Sequence, residues 1–379
     1  MSTASQIKVL ISGATGYIGG SILAELLNSS DGYAISALVR NEEQAAVLRK
    51  IGITPVLFDG LDDLEANRKA ASENDVVINA ASASHNTSVK AWIEGLSQRQ
   101  KATGKKAYYI HTSGTSILSD RPITGARIDT NIYSDAHNDI YAYEKSHPET
   151  YSQRVADLAV VATGEAKGVQ TYIIVPSTIC EFAETYSQRV ADLAVVATGE
   201  ANGVQTYIIV PSTIYGLGKG LFKKLSQQVP WLMRLAIKKG HAIVIGEGDG
   251  IWNHVHIDDL SNLYLLLLRG VLAPKTELPF GKKGYYFAET GEHTWKSISE
   301  GISRALLAQG QNTIQSDEIE SISLKDAANE LEISDLHLEL ALAANSRAKA
   351  DNARELLGWK PKHGNDSFHS HFMDELAAI

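Results

Sequence analysis

Apolar residues come along the chain in short solid runs, separated by longer stretches where they recur at helical spacing. The runs are Lys8-Val9-Leu10-Ile11, Tyr33–Arg40, Gly52–Asp59, Asp75–Ala81 and Lys105–Gly114. Such runs, apolar without alternation, suit strands covered on both faces, as in a parallel sheet. The segments between them, rich in Ala, Leu, Glu and Lys, read as helices. Repeated alternation of the two predicts an α/β fold with a doubly wound parallel sheet.

Gly13-Ala14-Thr15-Gly16-Tyr17-Ile18-Gly19-Gly20 joins the first run to the helix-like Ser21–Leu27. A strand, a tight glycine turn and a helix start are what a dinucleotide pyrophosphate requires. Gly13 permits the turn, Gly16 lets the backbone approach the phosphates, and Gly19 lets helix and strand pack closely. The second run ends at Arg40, where an acidic residue would bind the ribose 2′-hydroxyl of NAD. An arginine there pairs with a 2′-phosphate, so the expected cofactor is NADP(H). Asp59, at the end of the third run, is placed to reach the adenine ring. The fifth run ends in Ser113-Gly114, at the edge where ligands of such sheets bind.

Composition narrows the partners. The 379 residues are 44% hydrophobic and 21% charged, ordinary for a globular protein. A net charge of −9 leaves no basic stripe for nucleic acid. No apolar stretch is long enough to span a membrane, and the first residues lack a signal-peptide pattern, so a cytoplasmic protein is expected. One cysteine, Cys180, excludes an internal disulfide framework, and no histidine spacing suggests a metal site.

One stretch occurs twice. Residues 149–179 recur as 184–214, shifted by 35 positions, with Lys167 against Asn202 the one difference. Each copy encodes an amphipathic helix, apolar at Val155, Leu158, Ala159 and Ala162 in the first, followed by a strand. Two copies are too few for a solenoid, and a tandem duplication is the reading adopted. The sheet has one slot for them. Copy two is expected to fill it, leaving copy one as an extra helix–strand unit. An unpaired apolar strand favours association of chains into a homo-oligomer.

Several segments in this order resemble an extended or atypical extended short-chain dehydrogenase/reductase, a Rossmann-fold group that includes nucleotide-sugar epimerases and carbonyl reductases. They are Gly13–Gly20, Asn79-Ala80-Ala81, Thr112-Ser113-Gly114, Val210-Pro211 through Tyr215-Gly216, Gly246–Gly248, Trp252–Leu260 and Ala353–Pro361. The resemblance implies a nucleotide-binding core over 1–216, with Thr15, Tyr17, Ile18, Ala80, Ala81 and Pro211 also at the cofactor. It implies a smaller substrate-binding region over 217–379, returning to the core near 250–262. His256, Asp258 and Trp252 would position a loop over the cofactor, and Tyr215 and Trp252 would line the substrate pocket.

In the family a serine polarises the carbonyl and a tyrosine donates the proton, its pKa lowered by a lysine four residues on. Ser113 matches the serine, and Tyr141 and Lys145 have the spacing of the pair. Pro148 breaks the helix that should carry them. Two other readings therefore stay open: Tyr151 with Arg154, or Tyr186 with Arg189, and no competent pair at all. The resemblance implies an NADPH-dependent reductase acting on the aldehyde or ketone of a small to medium metabolite. The rivals are an epimerase or dehydratase of nucleotide sugars, and a non-catalytic NADP(H)-binding redox sensor.

Overall fold

The computed structural model describes residues 6–146, 184–274, 277–310 and 318–379. The expected alternation is present: β1 (Lys8–Ser12), α1 (Tyr17–Asn28), β2 (Ala34–Val39), α2 (Glu42–Lys50), β3 (Thr54–Leu57), α3 (Leu64–Ser72), β4 (Val76–Asn79), α4 (Asn86–Thr103) and β5 (Tyr108–Thr112). There follow β6 (Ile132–Ser134), α5 (Ile140–Ser146), α6 (Glu184–Asn202), β7 (Gln205–Pro211), β8 (Thr213–Tyr215), α7 (Gln228–Lys239), β9 (Ala242–Ile245) and β10 (Ile251–His256). Next come α8 (Ile257–Leu272), β11 (Tyr285–Ala288), β12 (Gly291–Thr294), α9 (Trp295–Ala308), β13 (Ile319–Ile322) and β14 (Arg347–Lys349).

Seven strands form one sheet in the order β3-β2-β1-β4-β5-β7-β11, and every pairing is parallel. Val9, Leu10, Ile11 and Val76, Val77, Ile78 are wholly buried, as central strands covered on both faces require. The seventh strand, β11, has no counterpart among the strands read from the sequence. It comes from the C-terminal half, so that half returns to the core over a wider span than 250–262. Helix α8 packs on α1, and β11 closes the sheet edge beside β7. The N-terminal half lends β6 to β14 in exchange.

Copy two of the repeat occupies the slot beside β5, as expected, while copy one lies outside the described residues. Its helix is rotated from the expected face. The apolar positions read from the repeat correspond to Val190, Leu193, Ala194 and Ala197, of which the first three are half-buried and Ala197 is exposed. The buried stripe is Ala191, Asp192, Val195, Val196 and Gly199. An aspartate within that stripe concealed it.

The glycine turn is a set of backbone contacts. Gly13 has φ +75°, and a Cβ there would lie 2.5 Å from the Ala80 carbonyl oxygen; one on Gly19 would lie 2.2 Å from the Gly13 oxygen. Turn, helix start and the end of β4 therefore meet without side chains between them. A second meeting joins the two halves: a Cβ on Gly20 would lie 3.0 Å from the Gly220 Cα, and one on Gly220 2.8 Å from the Gly20 Cα.

The C-terminal region has its own core, built on Tyr215, Trp252, Trp295, Phe368 and Phe372. Strands β8, β10 and β12 form a small sheet within it. Among the described residues no helix is long and apolar enough to cross a membrane.

Gly13→Ala forces a left-handed φ and a backbone overlap, and is expected to cost at least about 1–3 kcal/mol. Thermal denaturation measures this, and an unchanged midpoint would mean the turn is not held against β4.

Candidate active site

A cleft of about 910 Å³ opens at the carboxyl edge of the sheet. Gly16, Tyr17, Ile18, Ala80, Ala81 and Pro211 line one side, and Ser113, Gly114, Thr115 and Ser116 form its floor. Phe222, Lys223, Lys224, Trp231, Arg234, Trp252 and His337, from the C-terminal region, form the opposite side. The glycine turn presents the start of α1 to this space with no side chain between, a cradle fitted to a dinucleotide pyrophosphate.

The floor is tied down from behind. The Ser113 amide donates to the Ile209 carbonyl (2.8 Å), continuing the β5–β7 ladder one residue past β5. The Trp252 indole donates to the Thr115 hydroxyl (2.9 Å), and the Ser116 hydroxyl donates to the Gln188 side chain. Ser12 donates to Asn79 (2.7 Å), whose amide donates in turn to His111 Nδ1 (3.0 Å).

The structure gathers most of the expected cofactor residues but not the expected proton donor. Gly16, Tyr17, Ile18, Ala80, Ala81, Pro211 and Ser113 share the cleft. Gly13 and Gly19 pack behind it, and Thr15 stands half-buried between them in the turn. Arg40 and Asp59 follow the ends of the adjacent strands β2 and β3, both exposed. Tyr141 and Lys145 do not line the cleft: Lys145 is exposed, and the Tyr141 ring lies 5.7 Å beneath Lys282 Nζ. The physical reason is the short α5, which packs on α6 and turns Ile140 and Glu144 inward, leaving Lys145 exposed. Arg189 is also directed elsewhere, its Nε donating to the Ile117 carbonyl (3.0 Å). Tyr151 and Arg154 lie outside the described residues. Tyr215 is buried in the C-terminal core instead of lining the cleft.

Sequence reasoning missed the residues beneath Ser113. Its hydroxyl donates to Asp192 Oδ2 (2.5 Å), and the Tyr285 hydroxyl donates to Glu144 Oε2 (2.7 Å). The two carboxyls neighbour each other electrostatically, and burial pushes both pKa values upward. His111 Nε2 faces Asp192 Oδ1 at 3.4 Å, and burial holds that imidazole neutral, its pKa lowered to about 4. The available signal was the charged residue inside the buried stripe of α6.

His256, Asp258 and His363 come within 4.8 Å of one another through their ligand atoms. The Nδ1 atoms of both histidines and the Asp258 carboxylate have protein partners. His256 Nδ1 accepts from the Asp258 amide (3.1 Å), His363 Nδ1 meets Asp259 (2.9 Å), and Lys219 pairs with Asp258 (2.8 Å). The two rings stack at 3.8 Å. β10 runs directly into α8, and His256 caps that helix by accepting from the Asp258 amide.

Fold and cleft define an NAD(P)-binding oxidoreductase of the Rossmann type. A family model described as NAD(P)H-binding matches residues 13–127, and one for the NAD-dependent epimerase/dehydratase family matches residues 183–277. The oxidase ucsJ of an Acremonium species is 31% identical over 367 residues, covering 93% of this chain and 92% of that protein. The dTDP-glucose 4,6-dehydratase DesIV of Streptomyces venezuelae, solved with NAD and TYD bound, has a TM-score of 0.63 at 12% identity, covering 98% of this chain and 96% of that one. The UDP-glucuronic acid 4-epimerase of Bacillus cereus, solved with UDP-glucuronic acid and NAD, has a TM-score of 0.59 at 11% identity over 98% and 99%. The chain belongs to the extended short-chain dehydrogenase/reductase family.

Two outcomes follow from this geometry. Tyr141→Phe is expected to leave turnover unchanged, because the ring is remote from the cleft; steady-state kinetics decides this, and loss of turnover would restore the pair. The second concerns pH. Burial raises the Glu375 pKa from 4.5 to about 8, and lowers His254 from 6.5 to about 3 and His371 to about 4. The buried acid contributes stability that is complete below pH 4.5 and lost as pH rises through 8. The histidines contribute stability that is present above pH 6.5 and lost as pH falls toward 3–4. The melting midpoint should therefore decline between pH 6.5 and 8, and Glu375→Gln should flatten that decline. A rising midpoint over this window would contradict the assignment.

Proposed function

We propose that this chain is an NADPH-dependent reductase of an aldehyde or ketone of a small to medium metabolite. The observation that carries this reading is that one cleft joins the glycine turn to Ser113, with Trp231, Trp252 and Phe222 facing them. Bound along the turn, the nicotinamide cofactor would supply a hydride to the substrate's carbonyl carbon. Gly16, Tyr17, Ile18, Ala80, Ala81 and Pro211 would hold it. Ser113 would meet the carbonyl oxygen. The aromatic side chains suit a substrate with an apolar body, and Lys223, Lys224 and Arg234 would receive an acidic substituent.

NADPH is preferred over NADH in this reading because Arg40 stands exposed at the end of β2, its guanidinium free of any ion pair among the described residues. The name of the Acremonium relative, an oxidase, accords with redox chemistry. The epimerase and dehydratase reading is the alternative, and a cofactor retained through turnover without net oxidation or reduction would favour it.

The test is a titration of the protein with NADPH and NADH, followed by energy transfer from tryptophan to the dihydronicotinamide. Tight NADPH binding and weak NADH binding are expected. Arg40→Ala should weaken NADPH binding by about tenfold or more, a loss of at least about 1.4 kcal/mol, and spare NADH. Equal loss for both cofactors would remove the NADPH assignment.

A further inference from the structure

We propose that Ser113 delivers the proton to the substrate oxygen and that the Asp192–Glu144 carboxyl pair buried beneath it is the acid that replenishes Ser113. This rests on the reductase reading. The carboxyls cannot both be ionised. Asp192 and Glu144 are 0% and 1% exposed. Asp192 Oδ1 and Glu144 Oε1 make no hydrogen bond among the described residues, the His111 Nε2–H facing Asp192 Oδ1 at 3.4 Å without closing one, while their other oxygens meet Ser113 and Tyr285. Two neighbouring buried carboxylates would repel each other, at a cost of several kcal/mol per uncompensated ion. A proton on Glu144 Oε1, donated to Asp192 Oδ1, satisfies both atoms.

The direction of the bond to Ser113 then depends on Asp192. When Asp192 is ionised, the Ser113 hydroxyl donates to it and cannot donate into the cleft. When Asp192 carries a proton on Oδ2, that proton is donated to Ser113 Oγ, and the serine hydrogen turns to the substrate. As the carbonyl oxygen becomes an alkoxide it takes the Ser113 proton, and Ser113 takes the proton of Asp192. Asp192 is left as a carboxylate, stabilised by the hydrogen bond from protonated Glu144, which Tyr285 supports in turn. One proton has moved to product and the pair has gained one negative charge. Solvent entering the cleft after product release restores it through Ser113. The Asp192 and Glu144 side chains position and supply Ser113; neither touches the substrate.

The surroundings favour the neutral pair. From β5, His111 faces Asp192 as a neutral imidazole, and Tyr109 lies beyond it. From β11, Tyr285 contributes a neutral hydroxyl, with Tyr141 of α5 nearby. Arg189 of α6 opposes the trend with its charge, but it is turned to the Ile117 carbonyl and the Tyr143 ring.

The experiment uses the full chain and two readouts. Infrared difference spectra across a pH titration of the substrate-free protein should show the carbonyl stretch of a buried protonated carboxyl near neutral pH. Asp192→Asn and Glu144→Gln should each remove or shift that band. The second readout is NADPH-dependent reduction of p-nitrobenzaldehyde. Ser113→Ala should lower kcat on the order of 100-fold with NADPH affinity kept, and Ser113→Thr should restore part of it. Asp192→Asn should lower kcat with KM little changed and abolish the fall in rate on the alkaline side. Absence of the infrared band in folded protein that binds NADPH would overturn the relay alone and leave the reductase reading standing. An alkaline limb unchanged in both carboxyl variants would also overturn it. Failure to reduce the aldehyde despite NADPH binding and an intact band would overturn the reductase reading, and the relay with it.

Discussion

Everything in this molecule's site depends on backbone meeting backbone at the glycine turn. Gly13 and Gly19 bring the end of β1, the start of α1 and the Ala80 carbonyl to distances that no Cβ would permit. That contact sets where the free amides of α1 point. It also brings β4 and β5 edge residues, Ala80, Ala81 and Ser113, to the same cleft. The rest of the chain builds walls around this point: the repeat helix α6 beneath, the C-terminal region opposite.

The C-terminal region is fastened to the sheet by polar bonds made in buried positions. Asp135 accepts from the amides of Phe287 (2.7 Å) and Asn352 (2.9 Å), so one carboxyl ties the N-terminal half to β11 and to the chain after β14. The Trp359 indole donates to the Asp259 carbonyl (2.9 Å), and the Tyr17 hydroxyl to the Gly216 carbonyl (2.7 Å). The Asp135 bonds cross the boundary that a division at residue 216 would draw, whereas the Trp359 and Tyr17 bonds each lie within one half. The halves share a core instead of abutting as separate bodies.

Much of the architecture was legible because it rests on local rules. Solid apolar runs gave strands β1 to β5, and glycine spacing gave the turn and most of its cofactor-facing residues. What escaped was non-local. Strand β11 is a four-residue segment whose partner, β7, lies some seventy-odd positions away, and nothing near it signals the pairing. The Tyr141 and Lys145 spacing was real but sat on the seven-residue α5, which exposes the lysine and buries the glutamate beside it. Asp192 interrupted the apolar stripe of its helix, and periodicity treats an interrupted stripe as a different face. A charged residue on a buried face is a violation of pattern, and here it marks the floor of the cleft.

The meeting of Gly20 with Gly220 bears on how the cleft admits its ligands. Two residues without side chains touch through their Cα atoms, so a larger residue at one position has no smaller residue at the other to accommodate it. A side chain at either position would therefore press the two walls apart, so the width of the cleft is set in part by two residues that have none.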